Sequence, residues 1–206
     1  MAGLSWSPLA RPPAALAWGA ALVWAGALLA LGAQLDGYSQ WQHPIGLPGA
    51  SGLPGAWLFN AMVFVLPGLS MALLANGLRN RLPGDAGAWA RQGCNLALLS
   101  ALAFTAQGLA PLDLDELDAG ASRWHAVLWT CWWIAFAAAL LALSVARLSV
   151  ARQGLRRAGL AIAAVLLLAV LGADLIGVAP AQRVATLAWF AWMAWLTRIL
   201  VRLPRT

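Results

Sequence analysis

Apolar stretches of about 20 residues recur six times along this chain, each long enough to cross the hydrocarbon core of a bilayer as a helix. Backbone inside hydrocarbon must satisfy its own hydrogen bonds, so the expected fold class is all-α, a six-transmembrane-helix bundle. The expected spans cover residues 14–33, 56–78, 93–109, 123–145, 158–178 and 183–201. They leave no room for a separate soluble domain, and residues 1–206 read as one membrane domain. Composition agrees, with 62% hydrophobic and 10% charged residues, against roughly 45–50% apolar in soluble domains.

Local signals refine these spans. Pro12-Pro13 suit a helix start and not its interior. The first apolar run imitates a secretory signal, but its length fits a retained span better. QLDGYSQWQHPIGLPGASGLPG carries too many turn formers for a helix and reads as a polar loop. Pro67-Gly68, near the middle of the second span, predicts a kink. The third span carries Asn95, Ser100, Thr105 and Gln107, more polar atoms than a lipid-facing helix tolerates, and should lie inside the bundle. Ser122 is the expected N-cap of the fourth span.

Charge gives the orientation. Arg11, Arg79, Arg81, Arg91, Arg147, Arg152, Arg156, Arg157, Arg198, Arg202 and Arg205 fall on one side of the expected spans, and Arg123 and Arg183 on the other. The positive-inside rule makes the arginine-rich side cytoplasmic, with both termini inside, in what reads as a bacterial inner membrane. Basic residues placed in short clusters between apolar runs, without a solvated face, exclude a nucleic-acid partner. Cys94 and Cys131 lie in apolar segments without CxxC spacing and read as buried packing.

The same topology gathers the titratable chemistry outside. Of seven acids only Asp85 is expected in the cytoplasm. Asp36, Asp113, Asp115, Glu116 and Asp118 fall in outer loops with His43 and His125, and Asp174 lies near the outer end of the fifth span. Histidine beside carboxylates supplies an acid/base pair or metal ligands. The same composition also describes a solvated acidic loop or a buried polar network, and no HExxH-like spacing selects a metal. In the catalytic reading His125 is general base, Asp113 orients it and His43 is second. Arg183, Arg123, Tyr38 and Asp174 are then the substrate-binding residues, the arginines clamping an anionic group. The structural alternative pairs Arg123 and Arg183 with Asp113, Asp115 or Asp174. Asp174 either faces a partner or snorkels to the rim.

The chain has 13 Trp. Trp41, Trp57 and Trp124 at the outer boundary and Trp89 at the inner one fit interfacial belts. Trp129, Trp132 and Trp133 share one helical face, as do Trp189, Trp192 and Trp195. These stripes either line a pocket for an isoprenoid, quinone or lipid tail, or pack against Gly- and Ala-rich helices. Bis-histidine haem does not fit, because His43 sits in a Pro/Gly loop. No cofactor is specified.

The motifs YSQWQHPIGLPGASGLPGAWLFN and GLAPLDLDELDAGASRWHAV, with FVLPGLSMALLANGLR between them, resemble the bacterial and archaeal membrane-protein family catalogued as domain of unknown function 998. The likeness spans residues 38–146. It implies a six-helix fold and an outer-face focus at Pro44, Ile45, Gly49, Pro111, Asp113 and His125, with no settled activity. Gly46 and Ala110 depart from the family's usual Ser and Phe. Three functions follow as expectations. One is an outward-facing enzyme on a lipid or lipid-linked substrate. Another is a noncatalytic module that binds a hydrophobic ligand or serves as accessory subunit to another membrane protein. The last is a small transporter with Pro67, Asn60, Asn76, Asn95 and Asp174 along its path, although no inverted repeat is visible. Membrane lipids are the partners common to all three.

Overall fold

Long runs rich in Ala and Leu, with Gly and Pro most concentrated where the chain turns, produce helices throughout the computed structural model, which describes residues 14–146 and 152–200. Pro12, Pro13, Arg11, Arg147, Arg202 and Arg205 lie outside the described residues. Six long helices account for most of the rest: α1 (Ala14–Gly32), α2 (Ala56–Arg79), α3 (Gly87–Gln107), α4 (Gly120–Val145), α5 (Arg152–Leu171) and α6 (Val178–Leu200). Each packs on its neighbours in sequence, and α1 closes the ring against α6. Among the described residues there is no strand.

Four of these helices, α1, α2, α4 and the Gln153–Leu171 part of α5, are long and apolar enough to cross a membrane. The other two differ because polar residues interrupt them; Arg91, Gln92 and Arg198, toward one end of the ring, are exposed, and several of the others turn into the bundle. Ser100, Thr105 and Gln107 of α3 and Thr186 and Thr197 of α6 are all buried. Asn95 is only partly covered. The threonine hydroxyls return their hydrogen to the helix's own carbonyls, Thr105 Oγ1 to Ala101 O at 2.9 Å, Thr186 Oγ1 to Gln182 O at 2.8 Å and Thr197 Oγ1 to Ala194 O at 2.8 Å, which offsets the cost of burying them. Ser100 Oγ and the Gln107 side-chain amide, by contrast, are buried without a hydrogen-bond partner among the described residues.

Helix ends differ from the sequence expectation where glycine decides. The fifth span stops at Leu171, because Gly172 breaks the helix and Gly177, at φ 90°, ends the single turn Ala173–Ile176 that follows. Ser122 is not an N-cap, since the helix already begins at Gly120. Its Oγ instead accepts from Asp113 N at 2.7 Å and donates to Asp113 O at 3.0 Å, closing the α3–α4 loop. The predicted kink takes the form of a π-helical segment, Ala61–Val65, directly before Pro67. Leu66 N donates to Ala61 O, and this wider turn gives room for a ring that would otherwise strike the preceding turn.

Small residues set how closely the helices approach. A Cβ on Gly93 would lie 2.5 Å from Leu143 Cγ, and one on Gly68 would strike Thr105, including its backbone N at 2.8 Å. Gly68→Ala therefore forces α2 away from α3, and we expect a loss of about 1–3 kcal/mol in a thermal melt of the detergent-solubilised chain. An unchanged midpoint would show that the two helices separate freely. The core between the helices is aromatic. Phe104 lies against Trp189 with ring centroids at 4.8 Å and against Phe64 at 5.4 Å, and Trp132 meets Trp189 edge-on at 5.8 Å. Trp132, Trp189 and Trp192 are fully buried, so the two tryptophan stripes do pack into the bundle.

Candidate functional site

The most heavily bonded part of the molecule is the α1–α2 loop, whose segment from Ile45 to Ala50 is buried except for a partly covered Leu47. Its residue types permit this. Gly46 and Gly49 offer no side chain, Pro48 has no N–H to satisfy, and Ile45 and Ala50 are apolar. The segment plugs one end of the ring, and four separate parts of the chain hold it there. Gln182 Oε1 of α6 accepts from Ile45 N at 2.9 Å, and Asn60 Nδ2 of α2 donates to Gly49 O at 2.7 Å. Leu112 O, in the α3–α4 loop, accepts from Ser51 N at 2.7 Å. His125 of α4 lies so close to Gly46 that a Cβ there would sit 3.0 Å from its Nε2.

Arg183 is the centre of the anchor. Nη2 donates to Tyr38 Oη at 2.8 Å and to Gln40 Oε1 at 2.7 Å, and Nε reaches the same Gln40 Oε1 at 3.2 Å. Nη1 donates to His43 O at 3.2 Å and to Ala179 O at 2.8 Å. Gln40 passes the connection to α1, its Nε2 donating to Leu28 O at 2.9 Å. His43 stacks on Tyr38 with ring centroids 5.7 Å apart, and its Nδ1 accepts from Ser39 N at 2.9 Å. The structure thus brings Arg183, Tyr38 and His43 together through neutral oxygens. The carboxylate partner expected for Arg183 is replaced by a phenol, an amide and two carbonyls.

His125 has a separate environment. Its Nδ1 lies 3.1 Å from Gln107 O and 3.0 Å from Ala110 O, two acceptors that require the proton on Nδ1. Nε2 is left as an acceptor facing Gly46, and Phe64 packs edge-on against the ring at 5.5 Å. Asp113 does not orient this imidazole through Nδ1, because its Oδ1 accepts from Asp115 N at 3.0 Å in the turn it opens. Arg123 and Asp174 are exposed. Among the described residues neither forms an ion pair, and Asp174 lies in the one-turn helix beyond α5. No group of three His, Cys, Asp or Glu among the described residues converges as metal ligands would.

Tyr38 is the chain's single tyrosine. Burial raises its pKa above the ordinary 10.0, opposed in part by the Arg183 guanidinium and its hydrogen bond. A raised pKa means that the folded chain keeps a proton the unfolded chain loses. This contribution to stability is whole below about pH 10 and is lost as pH climbs from there through the folded value. Absorbance at the tyrosinate band should therefore show a midpoint above 10 in the folded protein and an ordinary one in denaturant. A midpoint at or below the denatured one would contradict the burial of Tyr38.

Sequence reasoning singled out Arg183, Tyr38, His43 and His125 but missed Gln40 and Gln182, the two amides that complete the anchor. Their signal was position: Gln182 stands beside Arg183 at the start of an apolar run, and Gln40 lies between Tyr38 and His43 in the loop. No protein-family model matches this chain, and no curated protein or solved structure is significantly similar to it.

Proposed function

We propose that this chain is a six-span integral membrane protein and a noncatalytic module that holds a lipid or other hydrophobic ligand, alone or as an accessory subunit of a larger membrane complex. In this reading both termini and the arginine-rich loops lie in the cytoplasm of a bacterium, and the plugged end faces outward. The buried polar groups of α3 and α6 support the six-span count, because they lower the apolarity of those two helices on their inner faces while Leu99 and Leu102 of α3 and Val184 and Leu187 of α6 stay exposed on the outer ones, as lipid-facing side chains would. The exposure of Trp41, Trp57 and Trp124 near the plugged end and of Trp89 near the other fits two interfacial belts. The resemblance to domain of unknown function 998 belongs to the same proposal.

One observation carries the choice of binding over processing: every N–H donor of Arg183 is consumed by the loop and its own helix. A guanidinium so occupied holds structure and has no donor for a substrate anion. His125 adds support, since Gly46 covers its Nε2. Single cysteines at Ser51, Asp115 and Asp85, in a chain whose Cys94 and Cys131 are serine, test the arrangement in intact cells. Ser51 and Asp115 should react with an impermeant maleimide from outside, and Asp85 only after permeabilisation. Labelling of Ser51 and Asp115 from opposite sides overturns the proposal. So does a purified chain that retains no lipid through detergent exchange.

A further inference from the structure

A cleft of about 360 Å³ opens beside the plug, between the end of α1 and the start of α2. That volume falls in the range of small-molecule sites. Leu31 and Leu35 line one wall and Pro48 of the plug and Phe59 of α2 the other, so the cleft is mainly apolar, with the exposed amide of Gln34 at its edge. Two further features of its lining carry opposite sign. Asp36 is an exposed carboxylate, and Gly55 is the N-terminus of α2, with no side-chain cap on the positive end of the helix dipole. Two residues beyond Gly55, Trp57 is 76% exposed, as expected of a side chain at headgroup depth.

The surroundings select the charge of the occupant. Asp115, Glu116, Asp118 and Asp174 are exposed in the segments that follow α3 and α5, at the same end of the ring, where Arg183 is already engaged and Arg123 is the other cation among the described residues of that end. A headgroup with net negative charge meets repulsion here, and one carrying an ammonium beside its phosphate does not. Resting on the reading of the chain as a lipid-binding membrane module, the geometry points to this cleft as a site for one zwitterionic aminophospholipid. Its ammonium lies toward Asp36, its phosphate toward the first turn of α2, and the upper part of an acyl chain lies between Leu35 and Phe59.

Native mass spectrometry of the full chain in detergent, offered phosphatidylethanolamine or phosphatidylglycerol with identical acyl chains, tests the assignment. One phosphatidylethanolamine should be retained about tenfold more tightly than phosphatidylglycerol, a difference of about 1.4 kcal/mol. Leu35→Trp, which fills the cleft, should abolish that retention. Asp36→Asn, at an exposed position that leaves the fold intact, should weaken phosphatidylethanolamine about threefold and leave phosphatidylglycerol unchanged, the size expected of a solvated ion pair. Equal retention of the two lipids, preference for phosphatidylglycerol, or indifference to both substitutions overturns the headgroup assignment. In a chain that still passes the cysteine-labelling test, any of these results leaves the membrane reading standing. A chain that fails to label as expected removes the membrane reading first.

Discussion

Arg183→Ala should lower the stability of the folded chain by about 3–5 kcal/mol, the largest single effect expected here. Hydrogen bonds to a charged donor contribute about 1.5–3 kcal/mol each, and the substitution also leaves Gln40 Oε1 and the carbonyls of His43 and Ala179 without this donor. Because Gln40 also reaches Leu28 O of α1, losing the arginine loosens the joint where the ring of helices closes. The effect should be local before it is global. Hydrogen exchange across residues 38–50 should accelerate in the variant, while the amides around Phe104 stay protected. Arg183→Lys should fall between wild type and alanine, since an ammonium keeps the charge but cannot reproduce the planar fork that spans Tyr38, Gln40 and two carbonyls. An alanine variant as stable as wild type, with unchanged exchange in the loop, would mean that these bonds do not hold the plug.

The second large effect is at His125. His125→Ala removes an aromatic ring packed between Phe64 and Gly46 and leaves Gln107 O and Ala110 O without their donor. Cavity and orphaned acceptors together should cost about 3–4 kcal/mol. His125→Asn keeps an N–H where Nδ1 stood and should recover part of that loss. The comparison also separates the two roles that a buried histidine allows. A structural imidazole gives melting midpoints ordered wild type, asparagine, alanine, with lipid retention following stability. A catalytic one would leave the alanine variant folded and stable.

Much of this architecture is legible in sequence because hydrophobic length is a strong signal. Six helices lie where the apolar runs are, and the Trp132 and Trp189 faces follow from helical spacing. Boundaries shift where glycine acts, as at Gly172, because helix propensity alone does not say on which side of a glycine a helix resumes. The site is legible only in part. Placing the loops at one end correctly brings Arg183, Tyr38 and His43 into one neighbourhood, but a formal charge suggests a carboxylate partner, and nothing in the pattern announces that neutral oxygens take its place. The plug itself is the larger surprise. Its Gly/Pro content reads as a surface turn, whereas the same residues suit a buried loop whose backbone is satisfied by Asn60, Gln182 and Leu112 O. The absence of charge between His43 and Ser51 was the available hint.

The π-helical segment before Pro67 has a consequence for the chain's tolerance of length change. Such a segment carries one residue beyond what an α-helical path of the same rise needs. Deleting a single residue between Ala61 and Val65 would let α2 run as continuous α-helix, at the expense of a clash at the proline ring. Because the wider turns already absorb that residue, the helix on either side of the deletion would keep nearly its present facing, and Asn60 would stay close to Gly49 O. What the deletion removes is the room around the proline ring. The extra residue therefore works as a spacer, which lets a proline sit inside a spanning helix without turning the first half of that helix away from the loop it holds.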